Sequence, residues 1–240
     1  TQHDPYEKQA SIGETRLQLD FARSVKEVNV KLVADFVYDP VLDEPEVNLD
    51  TGQGWLDLRQ ANVNFTPTRF MDVKVGRQIL TWGTGDLIFV NDLFPKDWQA
   101  FFTGRDVEYL KAPSDAAKVS LFSEWANLDV VYVPQFDADR YIRGRRLSYY
   151  NRMLGRRAGR DAVIDADEPR EWFEDDELHL RAYKNIRGYE LAGYGYRGYW
   201  KSPGGLAPDT GNATFPRLNV YGASVRGPAI TALTARCAST

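Results

Sequence analysis

The sequence predicts an all-β chain folded as an antiparallel up-and-down transmembrane β-barrel, whole or incomplete, of about eight to ten strands with long extracellular loops. Three observations lead there. Apolar and polar residues alternate with period two along much of the chain. Short and long connections alternate without exception, and membrane barrels keep tight turns on one side and extended loops on the other. Aromatic residues are abundant, with 13 Tyr, 12 Phe and 6 Trp, side chains suited to the girdles at both surfaces of a bilayer.

Residues 1–14 are polar and aperiodic and read as a flexible lead-in, residues 15–226 as the barrel or the N-terminal part of a larger one, and 227–240 as an irregular tail. From Arg16, Leu17, Leu19 and Phe21 share one face, and Arg16, Gln18 and Asp20 the other. After a turn at Ser24–Lys26, Val28, Val30, Leu32, Ala34, Phe36 and Tyr38 oppose Asn29, Lys31 and Asp35. A tilted strand of about ten residues spans the apolar part of a membrane. An acidic loop, 39–54, leads to a hairpin, Leu56–Phe65 and Met71–Val75, turned at Pro67-Thr68-Arg69. Arg59-Gln60 and Gly76 each mark a slip of phase that a β-bulge explains. A loop over 83–117 precedes strands Lys118–Phe122 and Leu128–Tyr132, turned at Trp125-Ala126-Asn127. The segment 136–176 opens with arginines and closes with carboxylates. Leu178–Tyr183, Tyr189–Trp200 and Arg217–Val225 complete about nine strands, where bacterial barrels have an even number.

The chain has 240 residues with no composition shift that marks a linker. Mean hydropathy is −0.47, and no apolar run approaches the roughly 20 residues of a spanning helix, which excludes a helical membrane protein. Alternating strands span a bilayer at low hydropathy, because only every second residue meets lipid. Net charge is −4, so no global case for nucleic-acid binding exists. The lone Cys237 forms neither an internal disulfide nor a thiolate cage, in keeping with an exported protein. The start at Thr1, without a signal-like apolar segment, reads as a removed leader or a fragment.

In a barrel the polar face is the lumen, and its charges are Arg16, Asp20, Lys31, Asp35, Arg59, Lys74, Arg77, Asp129 and Arg181. Asp86, Asp92, Asp97, Arg105 and Asp106 share the 83–117 loop, and loops that fold into channels set the charge of a constriction. The expected function is passive passage of small polar or charged solutes, with no enzyme activity, cofactor or metal. Two alternatives stand beside it. A secreted carbohydrate-active protein would use Asp92 and Asp97 as paired carboxyls with Trp98 as a platform. A non-conducting outer-membrane scaffold needs no site.

Weaker motifs carry less. The Gly83-Thr84-Gly85 run lacks the third glycine of a dinucleotide loop, and His3 and His179 have no metal-ligand spacing. Asp161, Asp165 and Asp167 lack the glycine of a calcium loop and read as solvated acids. Asn212-Ala213-Thr214 is a sequon of the kind that chance supplies. The arginines from Arg140 to Arg160 read as a solvated loop, and where they bind, lipopolysaccharide phosphate suits them better than nucleic acid.

At GRQILTWGTGD, residues 76–86, the chain resembles bacterial outer-membrane porin-like families, the DUF1302-type proteins and more distantly the alginate-export porins. In those families a strand reading GRQ or GKQ, then an apolar residue and WG, follows a strand like LRQANVNF. Gly76, Arg77, Gln78, Trp82 and Gly83 match. The resemblance implies a bacterial outer-membrane location, contact with lipid and lipopolysaccharide, small solutes as cargo, and a monomer or small homo-oligomer. Such barrels end on an aromatic residue, whereas this chain ends ITALTARCAST, which suggests the N-terminal part of a larger barrel or a shifted frame near Gly227.

Overall fold

The computed structural model describes residues 12–41, 46–82, 89 and 91–228. Nine strands form one sheet: β1 Thr15–Val25, β2 Val28–Tyr38, β3 Leu56–Thr68, β4 Met71–Ile79, β5 Pro113–Leu121, β6 Asn127–Val133, β7 Glu177–Ile186, β8 Tyr189–Tyr199 and β9 Arg217–Arg226. Each pairs antiparallel with its neighbour in chain order, so the sheet is a simple meander. Among the described residues no ladder joins β1 to β9, and the sheet stays open with these two as its edges. With nine antiparallel strands, β1 and β9 run in the same direction.

The turns follow from local chemistry. Arg187 and Gly188 both take positive φ, 52° and 86°, between Ile186 and Tyr189. That is the two-residue connection whose twist matches the flanking strands. The slip expected at Arg59-Gln60 is present: Val33 faces Gln60 while Ala34 faces Leu58, leaving Arg59 as the extra residue. Gly76 is not a slip. The ladders run in register through it on both sides, to Asn62 and to Ala116, and the second irregularity lies between Phe65 and Thr68, where Pro67 interrupts pairing. Gly76 is needed for another reason: its φ is 112°, and a Cβ there would lie 2.4 Å from the Ala61 carbonyl oxygen.

The sheet is inverted relative to a water-soluble one. Leu17, Leu19 and Phe21 are each more than half exposed, and Val28, Val30, Leu32, Val63, Val75, Leu180 and Leu191 join them on the same face. The opposite face buries Asp35, Asp57, Asn62, Asp129 and Glu177. Such an arrangement needs something polar to cover the charged side, and chain from the long connections supplies part of it.

That cover is a plug over the long-loop half of the polar face. It holds the helix α1, Trp98–Thr103, a 3₁₀ turn at Val107–Leu110, and the segment after β6. α1 is a single capped turn and a half: Asp97 accepts a hydrogen bond from the Ala100 amide at 2.7 Å, and Gly104 ends it at φ 76°. Phe94 stacks on His179 of β7 at 4.3 Å and joins Leu80, Trp82, Ala116, Val131 and Val133 in an apolar cluster under the plug. A second cluster packs Phe136, Tyr141, Tyr199 and Phe215. A hairpin, Tyr149–Asn151 with Arg156–Ala158, and a three-stranded patch of Ala166–Asp167, Gly205–Leu206 and Ala213–Thr214 complete the long-loop end.

Three sequence expectations shift. β5 begins at Pro113, so the loop read as 83–117 is shorter, because Ser114 and Ala116 are small enough to pack beneath the plug. The lead-in does not extend to residue 14: the Gly13 amide donates to Asp39 at 3.2 Å, and Glu14 is held by two arginines. The tail from 229 onward, like residues 1–11, lies outside the described residues. No helix among the described residues is long and apolar enough to cross a membrane, which does not bear on strands.

Candidate functional site: a ring of alternating charges

Where β1 and β3 meet the plug, six charged side chains close a ring. Arg16 pairs with Glu14, Glu14 with Arg105 at 2.6 Å, and Arg105 with Asp97 at 3.8 Å. Asp97 then pairs with Arg140 at 3.3 Å, Arg140 with Asp57 at 2.9 Å, and Asp57 returns to Arg16 at 3.5 Å. Asp35 hangs from Arg16 at 3.0 Å. Period two on β1, β2 and β3 aims Arg16, Asp35 and Asp57 at one side, and the α1 cap sets Asp97 above them.

Arg140 is the keystone. Its side chain is 1% exposed and donates to both Asp57 oxygens, to Asp97, and to the Leu49 and Asp50 carbonyls at 3.0 and 3.1 Å. Burial opposes its charge, but the Asp57 and Asp97 carboxylates outweigh that and hold the guanidinium protonated above its usual range. The Tyr109 ring lies under both Arg16 and Arg59, at 4.9 and 4.6 Å. Burial, aided by the Asp35 carboxylate, pushes the Tyr109 phenol up to about 12.

A half-enclosed cavity of about 250 Å³ opens beside the ring. Arg16, Arg105 and Arg146 face Glu14, Asp39 and Asp97 across it, and Tyr38 and Trp55 stand among the lining residues. The ring thus borders a polar space with balanced charge. Its chemistry is that of a constriction or a clamp: fixed dipoles and charges that orient a small polar solute or water.

A second network lies under the plug further along the sheet. Lys201 donates to both Glu177 oxygens at 2.7 and 2.6 Å, and Tyr196 donates to Glu177 at 2.5 Å. Asp139 accepts from the Trp98 indole at 3.0 Å and from Ser202 at 2.7 Å. Nearby Asp137 accepts from Ser114 at 2.5 Å. Burial pushes the Asp137 carboxyl up to about 7, against the pull of Lys201. The native chain therefore holds this proton to higher pH than the unfolded chain, whose carboxyl titrates near about 4. The stability tied to that proton is full below about pH 4 and is lost as pH rises to about 7. Unfolding midpoints measured from pH 4 to 8 are expected to fall less steeply in Asp137→Asn than in the parent; identical slopes would refute this.

The positions singled out in the sequence separate into groups. Arg16, Asp35 and Arg59 are on the polar face; Arg16 borders the cavity, whereas Asp35 and Arg59 are buried beneath the plug, where Arg59 donates to the Glu108 and Lys111 carbonyls at 3.1 and 3.2 Å. Asp20, Lys31, Lys74, Asp129 and Arg181 are on the same face nearer the short turns. Arg77 does not line that face with them. It stands out of phase with Lys74, opposite Ala61 and Asp115, and its guanidinium bridges the gap where β3 and β4 part, bonding Leu58 O at 2.7 Å, Asp115 at 2.7 Å and Leu49 O at 2.5 Å.

Of the loop charges, Asp97 and Arg105 enter the ring, Asp92 pairs with Lys96 at 3.2 Å, and Asp106 is exposed at the start of the 3₁₀ turn. Asp86 and Gly83 lie outside the described residues. Asp92 and Asp97 are each paired with a cation, and the Trp98 indole donates to Asp139.

Sequence reasoning missed Glu14, Asp57 and Arg140 as members of one site. Arg140 had been read into a solvated run, yet it is buried, while Arg143 and Arg146 are tied to Glu168 and Asp39. Among the described residues no group of three His, Cys, Asp or Glu side chains is arranged to hold a metal ion, and Asp161 pairs with Arg156 at 2.7 Å.

No protein-family model matches this chain, and no curated protein does.

Proposed function

We propose that this chain is the wall and plug of a porin-like β-barrel in a bacterial outer membrane, passing small polar or charged solutes. One observation carries the reading: the sheet exposes its aliphatic face and buries its ionic one. An apolar face this broad needs a cover, and acyl chains are the cover that also explains strands of 9 to 13 residues in all but β6. Aromatic side chains at both rims add support, with Tyr38 and Trp55 toward the long loops and Phe70, Phe122 and Trp125 toward the short turns. Lipid tolerates no open edge, so β1 and β9 must each be paired in the functional assembly, by each other or by further strands.

A second reading, the non-conducting scaffold, is favoured by the plug, which occupies half of the polar face. Two experiments test these readings. The membrane-extracted protein is expected to migrate faster in cold SDS than after boiling, as a closed barrel does. A freely soluble protein with no mobility shift would sink the membrane reading. In planar bilayers, discrete conductance steps separate channel from scaffold.

A further inference from the structure

We propose that Lys74, Lys118 and Lys31 form an anion-binding step on the part of the polar face that the plug leaves uncovered. Lys74 and Lys118 are direct register partners on β4 and β5, and like charges placed opposite one another are unfavourable in a ladder. Lys31 stands on the same face two strands away, opposite Asn62, which follows the same ladder to Gly76. Three ammonium groups thus converge on one stretch of wall.

Local carboxylates do not neutralise them. Lys118 reaches Asp129 only at 3.7 Å, and Asp129 also accepts from Ser120 at 2.6 Å and faces Arg181 at 4.0 Å. Lys31 approaches Asp20 at 3.4 Å, with both side chains 41–50% exposed, where an ion pair adds little. Lys74 has no carboxylate partner among the described residues. Opposite it on β3 stands Asn64, whose amide is likewise unbonded. The Lys74 and Lys118 ammonium groups and the Asn64 amide, with Lys31 at the margin, make a site for a small oxyanion, a phosphate or a carboxylate, which would replace repulsion with charge-assisted hydrogen bonds.

This inference rests on the channel reading for its role in transport, but not for its binding. The full chain in detergent micelles is acetylated with and without inorganic phosphate, and the lysines are read by mass spectrometry. Phosphate is expected to slow acetylation of Lys74, and to do so no longer in Lys118→Gln. Lys184, which donates to the Glu124 carbonyl outside this face, serves as the internal control. In bilayers under a KCl gradient, Lys74→Gln is expected to lower the preference for anions over cations more than about tenfold, since one charge near 5 Å in a water-like dielectric shifts each ion about fourfold in opposite directions. Protection of Lys74 without any conductance would keep the site and remove the channel. Conductance with unprotected Lys74 and an unchanged ion preference would overturn the site, leaving three solvated lysines.

Discussion

Arg140→Met is expected to destabilise the protein by about 3–5 kcal/mol, because two buried carboxylates then keep only their more distant arginines, Asp57 with Arg16 at 3.5 Å and Asp97 with Arg105 at 3.8 Å. Asp57 and Asp97 are 1% and 2% exposed, and each loses its closest cation with that substitution. Urea unfolding in detergent, followed by tryptophan fluorescence, measures the loss. A companion change, Asp57→Asn, removes one of the stranded charges and is expected to recover part of it, which a cost arising from lost packing alone would not allow. Arg170→Met supplies the contrast. Its side chain is 57% exposed and pairs with Asp50 at 3.9 Å and with Glu168 at 2.6 Å, a carboxylate that Arg143 also holds, so its removal is expected to cost under about 1 kcal/mol. A cost for Arg140→Met as small as that would mean that water enters the ring and that the plug is not seated as described.

Leu180→Arg is expected to cost about 2–4 kcal/mol in a lipid bilayer and close to nothing if the outer face meets water. Leu180 is in mid-strand on β7, opposite Val130 and Gly195, with 38% of its surface exposed. Gly195 leaves room beside it, so the penalty is one of solvation rather than of sterics. Folding into liposomes, titrated with urea, gives the number. An unchanged midpoint would show that this face is not in acyl chain, and the membrane reading would fall with it.

The wall was legible in the sequence because period two is a property of a strand by itself. Leu17, Leu19 and Phe21 against Arg16, Gln18 and Asp20 need no knowledge of any partner, and the same alternation carries through Val28–Phe36. The Arg59-Gln60 bulge was legible as a broken phase. Gly76 was misread because a glycine in a strand has more than one physical cause, and close approach to Ala61 leaves no trace in periodicity. α1 carried its own marks, Asp97 and Gly104, but six residues are too few for a 3.6-residue apolar period to emerge between them.

The ring was hidden for a different reason. Which carboxylate meets which guanidinium depends on how the long loops return to the sheet, and Glu14, Asp57 and Arg140 each find partners far away in the chain. Composition made Arg140 look like its neighbours Arg143 and Arg145, while burial singles out one position. Lys74 and Lys118 were each visible as polar-face residues, but their juxtaposition depends on the register across a connection of more than thirty residues.

The meander has a kinetic consequence. Every wall ladder joins strands that are neighbours in sequence, and across the tight turns the sheet can grow hairpin by hairpin at small loop-closure cost. The bonds of the ring are the opposite: Glu14 to Arg105 spans 91 residues, and Asp57 to Arg140 spans 83. Low contact order across the tight turns and high contact order in the ring lead us to expect that the hairpins pair before the charged ring closes, an order that hydrogen exchange during refolding would follow.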